Sequence, residues 1–376
     1  MVPVPTLTDG VVTLRAHSED DVEPILEQCL DPTSLTWTNI PVGYTRDDAK
    51  RYVRDLMPGG WATGQEWGFA LEVDGRYAGT VTLRNEGEGR AEIAYVAHPA
   101  IRGSGSVDRA LRLLLDWGFR AESAGGRGLR TVIWRAFVGN WASRKTAWRL
   151  GFTCDGEVRD AMLYRDQLVD GWIGTLLASE DRRPRNRWLE ASRIVGTHLV
   201  LRAHAAHDVE RVQQACSDER TVYWLGNLPT PYTRADAEAY VGSRPEGMAT
   251  GTAVHWAIAD PATDSLLGSI SVMDITGQAG PEVGYWAHPD ARGRGVMTAA
   301  VRLAVRHAFI DEEDGGLGLP KLRLVSALDN TASRRVAEAT GFRFGGTERL
   351  GALCRDGRHD TAIYDLVPGD LARIHE

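Results

Sequence analysis

Hydrophobic and polar positions follow two different periods along the chain, and the changes of period outline its elements. Residues 11–16 alternate as a strand, and residues 20–30 follow with helical spacing and an acidic first turn. Residues 31–44 hold Pro32, Trp37 and Pro41 and read as a loop, after which Thr45 is placed to cap a helix running to about Met57. Residues 67–73 and 77–83 are strands on either side of Asp74-Gly75, a strong hairpin signal. Strands at 92–97 and Thr131–Phe137 bracket a helix over 107–121. A short helix over 143–150 is stopped by Gly151, and strands near 157–164 and 168–173 close the series.

The second half repeats this order around residues 282–309. Val283, Tyr285 and Ala287 alternate against Glu282, Gly284 and Trp286 as a strand, and His288-Pro289-Asp290 stops it, because proline cannot donate to a ladder. Arg292-Gly293-Arg294-Gly295 makes a tight basic turn, and a helix opens at about Val296 with Ala299, Ala300, Leu303 and Ala304 on its sheet-facing side. The first half carries the same features 190 residues earlier: His98 for His288, Gly103 for Gly293, Asn140 for Asn330, Ser143 for Ser333 and Gly151 for Gly341. Upstream, Leu14-Arg15-Ala16-His17 answers Leu201-Arg202-Ala203-His204. Downstream, Asp160 and Tyr164 are matched to Asp360 and Tyr364 by allowing a ten-residue insertion. So long a period excludes a solenoid, whose repeats run about 20–50 residues. The reading is one domain duplicated, 1–178 and 195–376, joined through 179–194, of which residues 179–186 are polar, hold a proline and lack a period. Strands with inserted helices predict an α/β fold with a mixed sheet in each half.

Composition narrows the function. With 25% charged and 43% hydrophobic residues the chain reads as a soluble globular protein, and 376 residues allow two cores of ordinary size. A formal net charge of −8 argues against a general nucleic-acid binder. No run of about 18 apolar residues suggests a membrane span, and the first residues lack the basic and apolar regions of a signal peptide. Four scattered cysteines, Cys29, Cys154, Cys216 and Cys354, have no metal-ligand spacing, and Cys29 and Cys216 share a repeat position suited to core packing. The expectation is a cytoplasmic protein with reduced thiols and no metal.

Strand, glycine turn and helix start together make a place for a phosphate. Glycines let the backbone approach closely, and the first unpaired N–H groups of a helix point outward at the positive end of its dipole. A P-loop would need Gly-Lys-Ser/Thr, which does not follow Gly293, and the dinucleotide fingerprint would need glycine at Thr298. The stretch resembles instead the pyrophosphate motif of the GNAT superfamily of acyl-coenzyme A-dependent N-acetyltransferases, Arg/Gln-x-x-Gly-x-Gly/Ala. It is matched as Arg292-x-x-Gly295-x-Met297, with methionine departing from the last position. The resemblance covers almost the whole chain twice and is nearest to the ribosomal-protein N-terminal acetyltransferase branch.

The resemblance implies acetyl-CoA as co-substrate. Its arm would lie where the strands Glu282–Ala287 and Leu322–Ala327 splay apart, against Trp286 and Ala287. Its pyrophosphate would sit on Arg292, Gly293, Arg294, Gly295, Val296, Met297 and Thr298, while on the neighbouring helix Asn330 would hold the arm and Arg334 and Arg335 would reach a phosphate. Acetyl transfer to an amine needs a neutral amine, a stabilised oxyanion and a proton for the departing thiolate. Glu282 is the candidate base, directly or through water, at a position where the branch carries an acid. Ser333 of Asn330-x-x-Ser333 is the candidate acid, although Asn330 also suits helix capping. Trp224, with Tyr223, is placed to wall the acceptor site on the loop 218–232, and Tyr364 lines the acyl pocket or fills core.

The halves differ where phosphate would bind. Ser104 and Asp108 replace Arg294 and Thr298, and Ala94 replaces Gly284. An aspartate ~4 Å from a pyrophosphate costs on the order of a few kcal/mol before screening. The reading is therefore an N-acetyltransferase for a small-molecule amine or a peptide N-terminus, with the second half catalytic and the first weakened, acting as a monomer with an internal pseudo-dimer. The alternatives are a duplicated module that senses coenzyme A or binds a partner without catalysis, and a transferase using aminoacyl-tRNA, which the acidic balance disfavours.

Overall fold

The computed structural model describes residues 3–375, which divide into two compact units, one ending at Arg185 and the other beginning at Asn186. The first unit holds β1 (Leu7–Thr8), β2 (Val12–Arg15), β3 (Glu66–Val73), β4 (Arg76–Gly87), β5 (Arg90–Ala97), β6 (Thr131–Phe137), β7 (Gly156–Tyr164) and β8 (Gln167–Leu177), hydrogen-bonded in the order β1-β2-β3-β4-β5-β6-β8-β7. Its helices are α1 (Val22–Leu30), α2 (Pro32–Trp37), α3 (Arg46–Arg51), α4 (Met57–Thr63), α5 (Ser106–Phe119) and α6 (Trp141–Arg149). The second unit repeats the sheet with β9 (Ile194–Val195), β10 (Val200–Arg202), β11 (Val254–Ala259), β12 (Leu266–Met273), β13 (Glu282–Ala287), β14 (Leu322–Ala327), β15 (Arg343–Cys354) and β16 (Gly357–Leu366), ordered β9-β10-β11-β12-β13-β14-β16-β15. Its helices are α7 (Val209–Cys216), α8 (Glu219–Trp224), α9 (Arg234–Thr250), α10 (Val296–Phe309) and α11 (Thr331–Ala339). The pairs β5–β6 and β13–β14 are parallel and the others antiparallel, the mixed α/β sheet expected.

Both faces of each sheet are covered. Ala110, Leu111, Leu114 and Leu115 of α5, and Ala300, Val301, Ala304 and Val305 of α10, are buried in the main cores. A smaller cluster on α1 and α3 holds Val22, Ile25, Cys29 and Ala49, and its counterpart on α7 and α9 holds Val209, Val212, Cys216 and Ala237. Double coverage is why every residue of β11 is buried and why its sequence shows no alternation. Each unit also contains an ion pair between a half-buried arginine and a buried aspartate at the entry to its first helices. Arg15 bonds Asp21 at 2.8 Å and Glu72 at 2.6 Å, and Arg202 bonds Asp208 at 2.8 Å and Asp264 at 2.7 Å. Burial raises the Asp208 pKa, but the Arg202 guanidinium and the Ala205 N–H outweigh it and hold the carboxyl below its ordinary value.

Several local expectations are corrected. The loops 31–44 and 218–232 each contain a short helix, α2 or α8, started by a capping aspartate: Asp31 accepts from Ser34 N at 2.9 Å and Asp218 from Thr221 N at 3.0 Å. The helix capped by Thr45 runs past Met57 to Thr63 through a π-turn at Tyr52–Leu56. That extra residue per turn precedes Pro58, which lacks the N–H that α-helical bonding would use. The matching helix α9 likewise continues through Pro245 to Thr250, and both end at a left-handed glycine, Gly64 or Gly251. The ten-residue insertion does not exist. Gly156 pairs with Ile173 and Gly346 with Ile363, so the 190-residue spacing holds to the end, and the counterpart of Tyr364 is Gly174. Residues 179–194 divide between the units: Arg185 bonds Glu180 and the Gly151 carbonyl in the first, and Leu189 is buried and bonded to Met248 in the second. Among the described residues no helix is long and apolar enough to cross a membrane.

Asp208→Asn should cost about 3 kcal/mol in urea unfolding, because it leaves a half-buried guanidinium with Asp264 alone and a buried amide in place of the carboxylate. The folded-state pKa of Asp208 lies below its unfolded value, so the pair's contribution is full above the unfolded pKa and is lost as pH falls through the folded one. A loss of stability under about 1 kcal/mol would put the pair among ordinary surface contacts.

Candidate active site

The parallel pair β13–β14 is joined at a single register position, Glu282 opposite Arg323, and beyond it the two strands share no further ladder. The first unit keeps four such positions between β5 and β6, from Arg90–Thr131 to Ile93–Trp134. His288 N bonds Leu267 O at 2.9 Å on the β12 side, so alternation turns the main-chain groups of Tyr285 and Ala287 toward the open side. Those of Trp286 face β12, while its indole donates to Tyr240 Oη at 3.1 Å.

At the end of β13 the chain bends through Gly293 and Gly295, both at φ 73°, a left-handed conformation that favours glycine. Gly295 is the N-cap of α10 and offers no side chain, so the first amides of that helix are not capped by it. Val296 and Met297 pack against the core, Thr298 is half-buried, and Arg294 is exposed. Arg292 turns away from the bend: its guanidinium bonds Asp218 at 2.5 Å and Thr221 at 2.7 Å, anchoring the bend to α8. The first unit repeats that anchor, Arg102 to Asp31 at 2.6 Å, but fills the bend itself. Ser104 Oγ accepts from Ser106 N at 3.2 Å, and Asp108 lies in the first turn bonded to Arg149 at 3.2 Å.

The carboxyl groups differ as much. Glu282 is half-buried, has no ion pair or hydrogen bond among the described residues, and burial pushes its pKa up, against the pull of Arg323. Its counterpart Glu92 is bound to Arg135 at 3.0 Å, and Arg135 is replaced by Val325 in the second unit. Ser333 lies in the first turn of α11, its N–H held by Asn330 Oδ1 at 3.2 Å, so the asparagine does serve as a cap. Ser333 Oγ lies 3.0 Å from Tyr285 Oη. Ser143 has the same tyrosine contact, from Tyr95 at 2.9 Å, plus a bond from Trp134 Nε1 at 3.0 Å, and Trp134 is Leu324 in the second unit. Arg335 is exposed on α11, whereas Arg334 is engaged with Tyr364 Oη at 3.0 Å. Tyr364 is fully buried and also donates to Glu338 at 3.1 Å, so its ring fills core. Tyr223 and Trp224 of α8 stack edge to face at 4.7 Å, and Tyr223 donates to Asp356 at 3.0 Å beside His359. Sequence reasoning missed Arg135, Trp134 and Tyr285; the 190-residue spacing, applied position by position along β5–β6 and β13–β14, would have exposed the first two.

The description "Acetyltransferase (GNAT) domain" matches residues 12–153 and 198–343, together well over half of the chain. The chain belongs to the GNAT acetyltransferase family. Both GNAT domains fall within single units, and the family's acyl donor is acetyl-CoA. The chain is 33% identical over 104 residues to the "Putative ribosomal N-acetyltransferase YdaF" of Bacillus subtilis, an alignment covering 27% of this chain and 54% of that protein. It thus spans about half the length of this curated relative. A solved GCN5-related N-acetyltransferase from Brucella melitensis is 24% identical, with TM-score 0.42, over 50% of this chain and 83% of its own. Mycobacterium smegmatis RimJ, solved in complex with CoA-disulfide, is 17% identical, with TM-score 0.41, over 46% and 83%.

In a carbon-13 NMR titration of labelled glutamate side chains, the Glu282 resonance should have its midpoint above the ordinary 4.5. A midpoint at or below that value would mean that the second GNAT domain leaves this carboxylate solvated.

Proposed function

We propose that the chain transfers an acetyl group from acetyl-CoA to a primary amine, of a small molecule or a peptide N-terminus, and that the second unit does so. One observation carries the assignment to that unit: Glu282 is half-buried and unpaired, whereas Glu92 is bound to Arg135. The glycine bend and the start of α10 would take the pyrophosphate on main-chain amides, with Arg294 at the rim. Val296, Met297 and Thr298 contribute their backbone, and Arg292 contributes by holding the bend to α8. Ala287 and Tyr285 offer their main chain to the pantetheine arm between β13 and β14. Trp286 supports that strand from the other face through Tyr240. Asn330 sets the start of α11, and Arg335 is free to meet a phosphate.

Glu282, with its raised pKa, removes a proton from the attacking amine, directly or through one water, and Ser333 supplies the proton that the departing thiolate needs. Trp224 and Tyr223 wall the acceptor side. Tyr364 shapes the acyl end only indirectly, because its hydroxyl is engaged by Arg334 and Glu338. The name of YdaF favours a protein or peptide amine among the possible acceptors. The first unit, drawn as residues 1–178 before the segment 179–194, is the weakened partner of the catalytic 195–376. Its bend is occupied by Ser104 and bordered by Asp108, and Trp134 lies against its serine. That arrangement favours a structural or coenzyme A-sensing role for the first unit alone. The setting proposed is the cytoplasm, where the cysteines stay reduced, with the chain acting as a monomer.

A thiol-release assay with acetyl-CoA and a panel of amines and peptides tests the assignment. Glu282→Gln should lower kcat/KM about 100-fold and Glu92→Gln should leave it unchanged. Because the base must be ionised, kcat/KM should fall as pH drops through the raised pKa of Glu282. Equal losses in both variants, or no thiol release with any acceptor, would contradict it. Calorimetry on the full chain should find close to one acetyl-CoA site, removed by Gly295→Val and kept in Gly105→Val. Two equal sites would return the first unit to catalysis.

A further inference from the structure

We propose that Tyr285 is a positioning residue for Ser333, its phenol reaching from β13 to α11 to hold the serine hydroxyl toward the opening between β13 and β14. The inference rests on the reading of Ser333 as the acid of the reaction. Three contacts fix the serine: Tyr285 Oη lies 3.0 Å from its Oγ, the same phenol is 3.2 Å from its carbonyl oxygen, and Asn330 Oδ1 accepts from its N–H at 3.2 Å. No other partner of Ser333 Oγ occurs among the described residues, so the orientation of the hydroxyl depends on the phenol. Tyr285 is in turn fixed by the strand, where its main chain faces the opening while its ring packs against the core of the second unit. Burial pushes its pKa up to about 12, which keeps the phenol protonated through the working range.

The chemistry requires a donor at this place. The phenol has a single proton, which it gives to the Ser333 carbonyl oxygen or to Oγ; when it donates to Oγ, the serine's own proton is left for the sulfur. As the amine nitrogen bonds to the carbonyl carbon and the C–S bond breaks, the electron pair leaves with sulfur, which takes the serine proton. The phenol's hydrogen bond then supports the charge on Oγ until water returns a proton. In the net reaction nitrogen loses one proton and sulfur gains one. The first unit shows what closes such a site. Its Tyr95–Ser143 pair is retained at 2.9 Å, but the Trp134 indole donates to the same hydroxyl from β6, where the second unit has Leu324.

Steady-state kinetics of the full chain with Ser333→Ala, Tyr285→Phe, the double variant and Tyr95→Phe test the inference. Ser333→Ala should lower kcat about 100-fold and Tyr285→Phe about 10-fold, each with KM for acetyl-CoA within about twofold. The double variant should be no slower than Ser333→Ala alone, because the phenol acts through the hydroxyl. Tyr95→Phe should leave kcat unchanged. Tyr285→Phe keeps the ring, and a melting temperature within about 4 °C of the parent shows the fold intact. Additive losses in the double variant, a loss confined to KM, full kcat in Tyr285→Phe, or an equal loss in Tyr95→Phe would overturn the proposal. If Ser333→Ala itself keeps full kcat, the acid assignment beneath it falls as well, which separates the two failures.

Discussion

The second unit depends on one interruption in its sheet. β13 and β14 run parallel and meet at Glu282 and Arg323, then stop bonding to each other. Main-chain donors and acceptors cannot be left unpaired in a protein interior without cost, so a strand edge opened in the middle of a sheet marks a place for something else to bond. Everything of interest is arranged along that edge. Glu282 stands at its closed end, the main chain of Tyr285 and Ala287 faces along it, and the glycine bend into α10 lies at its far end. Ser333 approaches from α11 across the gap.

The two units keep one fold and differ at a few side chains along this edge. Strand order, helix order, the Arg–Asp pair at the first helices and the arginine anchoring the bend are all kept. What changes is a handful of side chains. Arginine at position 135 ties down a carboxylate, tryptophan at 134 lies on a serine, and serine at 104 satisfies a helix amide. Each is a locally favourable contact, and the second unit has Val325, Leu324 and Arg294 at the matching positions. The halves of this chain therefore differ in which of these groups are already paired.

Much of this was legible in the residues. The duplication, the strand before the bend, helix α10 and the recurrence of the Asn330–Ser333 pair follow from spacing and period, because they depend on local rules of proline, glycine and capping. What escaped was tertiary. Helices α4 and α9 run through Pro58 and Pro245, since packing of the flanking turns outweighs the breaker. Short α2 and α8 hide in apparent loops, because six residues carry too little period to register. Tyr364 matched Tyr164 by residue type, whereas register pairs it with position 174. The role of Arg292 as an anchor depends on Asp218, 74 residues away in sequence, a partnership no local pattern encodes.

The most direct test of the account is a crystal structure of the full chain grown with acetyl-CoA. The pyrophosphate should lie on the amides following Gly295, the arm between β13 and β14, and the sulfur within hydrogen-bonding reach of Ser333. Density instead at the bend through Gly105, or a second unit whose bend and strand opening stay without ligand at saturating acetyl-CoA, would contradict it.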